Sequence, residues 1–198
     1  MGADAVHEVV GPLVRAFWDY PETVHLLPNE ESRRRVLPRY LESDTRDAAR
    51  FGTLLAAVEA GKVVGAAAWQ LPGGYPLGRR RSLRQIRDVA PTLPWTFREA
   101  REAGRGQRAN RSRHRPHPPH FWLQVIGIDP DHQHTGVGAA LLRPVLDRAD
   151  HEGAGSFLFT ATPENAAWYK RFGFRTEAEY QPTPRWPTVW AMWRAPVG

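Results

Sequence analysis

Apolar residues near the start of the chain recur at steps of three and four: Val6, Val9, Val10, Leu13, Val14 and Phe17 form one stripe and predict an amphipathic helix over residues 4–18. Asp19, Tyr20 and Pro21 end it. A second helix is expected from about Glu30 to Ala49, with Val36, Tyr40 and Leu41 on one side and a kink or break at Pro38. Residues 52–60 and 63–70 are short apolar runs joined at Gly61 and Lys62, which reads as a β-hairpin. The strongest strand signal is the run from His120 to Asp129, closed by Pro130 and Asp131. After it come a glycine turn, a helix from about Gly136 to His151, a strand at Ser156 to Thr160, a helix from Pro163 to Phe172, and strands near 174–180 and 187–194. In the last strand Val189, Ala191 and Trp193 alternate with Trp190 and Met192, so both faces are apolar and burial on both sides is expected. Helices interleaved with a mixed sheet give an α/β class, without internal repeats.

A length of 198 residues, 41% of them hydrophobic, suits one domain over 1–198 and is too little for two. The absence of cysteine excludes disulfides, thiolate metal sites and a cysteine acyl-enzyme. Met1 to Val10 lacks the apolar run of a signal peptide and no stretch is long and apolar enough for a membrane span, so a soluble cytoplasmic protein without membrane partners is expected. Of the 27 basic residues only Lys62 and Lys170 are lysines, a bias expected of a GC-rich bacterial genome. The net charge of +6 is uneven: Arg79 to His117 holds 12 Arg against Asp88, Glu99 and Glu102, a net of +9, leaving −3 elsewhere. Residues 79–119 therefore read as a solvated Arg-rich insert or mobile loop, weakly helical near 80–103 and a loop or linker from Gly104 to Pro119. Only Trp95 and Phe97 interleave with these charges, which argues against nucleic acid as a partner.

Past Asp129 the chain reads Gln133, His134, Thr135, Gly136, Val137, Gly138, Ala139, and a helix starts within that run. The glycines let the backbone turn tightly and approach a ligand, and free N–H groups of the first helical turn point at whatever lies there. A pyrophosphate suits such a place; glycines used only for packing are the alternative. Gly138 is followed by Ala139 and Ala140, where a P-loop would need Lys and Ser or Thr. The next strand ends in Phe159 and Thr160, without the carboxylate of a dinucleotide-binding fold. About thirty residues on come Asn165, Trp168, Tyr169, Gly173 and Phe174.

The succession of strand, Gln-x-x-Gly-x-Gly, helix, strand and Asn-x-x-Trp-Tyr-x-x-x-Gly-Phe resembles the core of GNAT N-acetyltransferases over residues 120–180. More weakly, the whole chain resembles puromycin N-acetyltransferase and its small bacterial relatives. That likeness rests on Ala16 and Phe17 before Asp19-Tyr20-Pro21, on His114-Arg115-Pro116, on Val125 to Gln133 and on Pro163-Glu164-Asn165. The resemblance implies a mostly antiparallel sheet splayed at its central strand and flanked by helices, with acetyl-CoA as co-substrate. The backbone of Ile126, Gly127 and Ile128 would pair with the pantetheine arm, and the main chain of Gln133, His134, Thr135, Gly136, Val137, Gly138 and Ala139 would bind the pyrophosphate, helped by the helix dipole. Tyr169 would be the general acid beside the sulfur, with a core aromatic as its alternative; Asn165 would lie on the cofactor side or cap a helix.

The implied reaction is direct attack of a neutral amine on the thioester, with the oxyanion held by a backbone N–H of residues 126–128. Asp19, Glu22, His25 and His120 are candidates for the base, none assigned. Two features depart from the relatives: Phe159 stands where puromycin-type enzymes tend to carry Glu, and the chain opens on a helix where the fold usually opens on a strand. The acceptor expected is the primary amine of a small molecule, antibiotic-like or metabolic. A protein or peptide acetyltransferase and a non-catalytic acetyl-CoA-binding protein are the alternatives. No metal site is expected, and a homodimer stays open.

Overall fold

Residues 6–96, 100–114 and 117–197 are described by a computed structural model of the chain. Helix α1 (Val6–Phe17) buries Val6, Val9 and Leu13, the stripe its spacing predicts. The chain does turn at Asp19 and Tyr20, but a short helix α2 (Pro21–Leu26) follows at once, with Pro21 at its first position, where a missing N–H costs nothing. Helix α3 (Glu30–Phe51) is capped by the Asn29 side chain, which accepts from the N–H groups of Glu31 and Ser32. It runs past Pro38 without the break its sequence suggests. The carbonyl freed there belongs to Arg34, an exposed residue, where water can serve it. Val36 and Leu41 are buried, whereas Tyr40 is half exposed.

Strands β1 (Gly52–Glu59) and β2 (Lys62–Gln70) form the expected hairpin through a two-residue turn at Ala60 and Gly61, both with positive φ, one residue earlier than the sequence suggests. The arginine-rich stretch forms helices α4 (Arg79–Val89), α5 (Leu93–Thr96) and α6 (Ala100–His114). α6 occupies most of the tract whose glycines and polar residues predict a loop. Contacts with distant residues hold it: Gly106 lies against the Trp186 ring so closely that a Cβ there would fall 2.3 Å from it, and the Tyr180 hydroxyl donates to Asn110 at 2.7 Å.

Then follow β3 (Phe121–Ile128), α7 (Val137–His151), β4 (Ser156–Thr160), α8 (Pro163–Lys170), β5 (Arg175–Tyr180) and β6 (Val189–Arg194). The six strands lie in the order β1-β2-β3-β4-β6-β5, and every neighbouring pair is antiparallel except β3 with β4. This is the mixed, mostly antiparallel sheet expected. On one face α1 and α3 pack on Leu54, Ala66, Ala68 and Val125. On the other, α7 and α8 pack on Ala67, Trp69, Leu123, Leu158 and Met192. β6 is buried on both sides in large part, as its double apolar pattern predicts. The expectation of a fragmentary first strand falls on Met1 to Ala5, outside the described residues. Among the described residues no helix is long and apolar enough to cross a membrane.

The sheet opens in its middle. β3 pairs with β2 from Trp122 to Ile128, but with β4 only at Phe121, Trp122 and Leu123. Opposite β2 the register steps from Ala68 facing Val125 to Trp69 facing Leu123, so Gln124 is an extra residue in β3. A bulge bends the strand that carries it. Here it also exchanges faces: Phe121 and Leu123 belong to the α7–α8 layer, whereas Val125 belongs to the α1–α3 layer and Ile126 and Ile128 turn to α7 and α8. Beyond the bulge β3 and β4 part.

Candidate active site

A strand that loses a neighbour keeps backbone donors and acceptors pointing at the space left behind. The Asp129 N–H bonds to the Val64 carbonyl on β2 at 2.8 Å, so by strand alternation the main-chain groups of Gly127 also face β2, and those of Ile126 and Ile128 face the gap. The Gln133 side chain agrees with this, donating through Nε2 to the Ile128 carbonyl at 3.1 Å. Gly127 serves packing: a Cβ there would lie 2.8 Å from Leu13 Cδ2 and 3.0 Å from both Ala16 and Phe17, so the absent side chain lets α1 settle on β3.

The turn after β3 is tied at both ends. The Asp129 carboxylate accepts from the Asp131 N–H at 3.3 Å and from Arg15 Nε at 2.8 Å, which fixes α1 to the end of β3; hydrogen bonding to Arg15 holds the carboxyl below its usual range. Thr135 Oγ1 donates to the His132 carbonyl at 2.7 Å. His134 and Gly136 have positive φ, 63° and 93°, and Gly136 is the N-cap of α7 with no side chain to bond the first amides. Residues Gln133 to Gly136 are exposed. The first-turn amides of Val137, Gly138 and Ala139 thus stand beside an open turn at the positive end of a 15-residue helix. Gly138 also meets its neighbours closely, since a Cβ there would sit 3.2 Å from the Trp168 ring and 3.4 Å from Ile128 Cδ1.

Across the gap, α8 begins at Thr162, whose hydroxyl accepts from the Asn165 N–H at 3.3 Å. Thr162 is therefore the cap. Asn165 is exposed in the first turn. Tyr169 is 5% exposed, with its ring against Trp168 and Phe174 at centroid distances of 4.9 and 5.8 Å. Burial, and then the neighbouring Tyr20, push its phenol far above the ordinary value, so it is a protonated donor at every physiological pH. Tyr169 belongs to the α7–α8 core, and its phenol is within electrostatic reach of Tyr20, which binds the end of β4.

On the other side, Tyr20 binds the end of β4: its hydroxyl is 3.2 Å from Thr160 Oγ1 and accepts from the Ala161 N–H at 2.6 Å. Burial, then the charge of Glu22, push Tyr20 up to about 12. Glu22 Oε1 accepts from the Trp186 indole N–H at 2.9 Å, and burial raises its carboxyl despite that bond. His25 lies 5.0 Å from Trp186, ring to ring, and its Nε2 is 3.7 Å from Glu102 on α6. Asp19 is different: its side chain is 86% exposed and paired with Arg33. His120 precedes β3, at the opposite end from the glycine turn, with Nδ1 2.7 Å from the Pro118 carbonyl. Of the four candidate bases, Glu22 and His25 share the cluster beside Tyr20. Tyr20 and Trp186 were not singled out by sequence reasoning, although the turn holding Tyr20 was; nothing local marks residues brought together across 164 positions.

The pattern described as the Acetyltransferase (GNAT) family matches residues 13–174. Among solved structures, the chain is similar to one from Corynebacterium glutamicum described as histone acetyltransferase HPA2 and related acetyltransferase, with 21% identity and a TM-score of 0.69 over 98% of this chain and 93% of that one. It is also similar to a polyamine N-acetyltransferase of Drosophila melanogaster, with 14% identity and a TM-score of 0.61 over 98% and 97% of the two chains. A third is Naa20 of Chaetomium thermophilum in complex with a bisubstrate analogue, with 15% identity and a TM-score of 0.53 over 99% and 84%.

Proposed function

The chain belongs to the GNAT acetyltransferase family, whose members use acetyl-CoA, and from that premise we propose that it passes the acetyl group directly to a primary amine of a small molecule, without an acyl-enzyme. The observation that carries this reading is the gap between β3 and β4, with the main-chain groups of Ile126 and Ile128 turned into it and the uncapped amides of α7 at its end. Ile126 and Ile128 pair with the pantetheine arm, and Gln133 to Ala139 take the pyrophosphate. Asn165, exposed at the start of α8, lies on the donor side.

As the amine nitrogen bonds to the acetyl carbon, negative charge moves to the carbonyl oxygen, which accepts from an N–H of the splayed strand. The carbon–sulfur bond then breaks and Tyr169 gives its proton to the departing thiolate. The nitrogen loses its own proton toward the Glu22 side or to water. A small acceptor is favoured over a peptide because α6 closes over the cluster of Glu22, His25 and Trp186, where a peptide would need an open groove. The narrower likeness to puromycin N-acetyltransferase-like bacterial enzymes is part of this proposal, while Phe159, packed at 4.9 Å on Phe157, argues against puromycin itself.

The test is calorimetric titration of acetyl-CoA into the protein and into a Gly136→Val/Gly138→Val variant. Micromolar binding that is lost in a still folded variant supports the donor site. No binding to the unaltered protein would return the glycines to a packing role and refute the proposal.

A further inference from the structure

Gln124, the extra residue of β3, follows directly on Leu123, the last residue of that strand paired with β4. It is neither glycine nor proline, so its own backbone preferences do not fix a bulge there. Its side chain is held instead by a row of buried polar groups. Gln70 on β2 is fully buried, and Asp44 and Asp47 on α3 are each 6% exposed. From α4, Arg81 donates through Nε to Asp47 Oδ1 at 3.1 Å, through Nη1 to the Gly74 carbonyl at 3.1 Å and through Nη2 to Gln70 Oε1 at 2.5 Å. Gln70 Nε2 donates in turn to Asp47 Oδ2 at 3.1 Å and to Gln124 Oε1 at 2.7 Å. The Gln124 amide then bonds to the Asp44 carboxylate, whose Oδ1 also accepts from Gln85 Nε2 of α4 at 3.1 Å.

The direction of this row is determined from one end. A guanidinium can only donate, so Gln70 presents its oxygen to Arg81 and its nitrogen to Gln124, and Gln124 presents its oxygen to Gln70 and its nitrogen to Asp44. Burial, and then the charge of Asp47, push the Asp44 carboxyl up to about 7, and the Gln124 bond opposes them, as a donor to the charged form does. Two interior carboxyls thus share one arginine, an arrangement that well-packed apolar side chains often replace with no loss of stability. What the row does supply is a position. A bulge one residue earlier would send Gln124 to the α7–α8 face, away from both partners, and one residue later would take Val125 out of the α1–α3 core.

Resting on the acetyltransferase reading above, we propose that this row makes Gln124 a positioning residue. Anchored by Arg81 and Asp44, it holds the bulge at the branch point of the sheet and thereby keeps the main chain of Ile126 and Ile128 turned into the gap in the register that acetyl-CoA needs. Helix α4, from the arginine-rich stretch, is then a support of the donor site that never touches the donor.

Calorimetric titration of acetyl-CoA compares the unaltered protein with Gln124→Leu and with the double variant Gln124→Glu/Asp44→Asn. Gln124→Leu removes both side-chain bonds and fills the space. The double variant moves the carboxylate one place along the row: the side chain at 124 accepts from Gln70 and from the new amide at 44, which keeps an oxygen for Gln85. Gln124→Leu is expected to melt within about 3 °C of the unaltered protein yet bind acetyl-CoA about tenfold more weakly, and the double variant to return to within about threefold. A merely structural role would move Tm and leave the affinity of the folded protein unchanged. Binding by Gln124→Leu within about threefold therefore overturns this inference alone, as does a folded double variant that binds no better than Gln124→Leu. Should Gln124→Leu not fold, Gln124→Met, which keeps the unbranched stem, is read in the same way. No acetyl-CoA binding to the unaltered protein refutes the acetyltransferase reading and this inference with it.

Discussion

Replacing Tyr169 by Phe removes one hydroxyl and leaves the ring, so it separates proton donation from packing. The ring contacts with Trp168 and Phe174 survive, and Tm is expected to move by no more than about 2 °C, equivalent to under ~1 kcal/mol for a chain of this size. The chemical step should suffer far more. A thiol resembling that of cysteine, with a pKa near ~8.5, departs as an anion that must be charge-stabilised and protonated in a site closed to water, and a positioned general acid contributes roughly 10²- to 10⁴-fold. At 5% exposure the site gives water little room to substitute for the phenol, so a loss of about 10²- to 10³-fold in the acetyl-transfer rate is expected, or ~3–4 kcal/mol in the barrier. The amine KM and the acetyl-CoA affinity should hold. Rapid-quench measurement of a single turnover is the suitable assay, because it reads the chemistry even where product release limits kcat. A single-turnover rate within threefold of the unaltered enzyme would show that Tyr169 is only a core aromatic.

Two further substitutions test the frame around the site. Gly127→Val places carbon within 2.8–3.0 Å of Leu13, Ala16 and Phe17 and must push α1 off β3; overpacking of this kind costs ~1–3 kcal/mol, so thermal melts should fall by roughly 2–10 °C, and a change below 1 °C would disprove the close approach. Asp150→Asn breaks a bidentate pair with Arg194, at 2.7 and 2.6 Å, and leaves a nearly buried guanidinium without its counter-charge, for about 3 kcal/mol and roughly 6–12 °C in Tm. Arg194 lowers the folded pKa of Asp150 below its unfolded value, so this contribution is complete above about pH 5 and fades as pH falls through the folded pKa. Calorimetric scans from pH 6 to pH 3 should show the gap between the two proteins narrowing, and a constant or widening gap would contradict the assignment.

The elements of the proposed donor side were legible because their signals are local. The strand ending at Asp129, the glycine turn and the start of α7 are contiguous, and their order alone specifies a strand, a tight turn and exposed helical amides. The helix that closes over Glu22 and Trp186 was not. α6 carries Gly104, Gly106, Asn110 and Ser112, residues of low helical propensity, and it is held by Trp186 and Tyr180, some seventy to eighty positions away; no window of sequence contains that information. Glu22 could be seen only as one acid among several, since its partner Trp186 lies on the far side of the fold. Pro38 shows the opposite error: a local breaker overruled by a long helix whose exposed side tolerates one lost hydrogen bond.

The extra residue in β3 has a consequence for how such a protein can change. Deleting Gln124 would leave Val125 and Gly127 facing α1 and α3 and Ile126 and Ile128 facing α7 and α8, but would pair β3 with β2 in one unbroken ladder and remove the bend beyond which β3 leaves β4. The same sheet would then be a continuous wall, better paired and without an entrance. A single unmatched residue marks where the partition becomes a doorway, and ladder hydrogen bonds are what the sheet forgoes there.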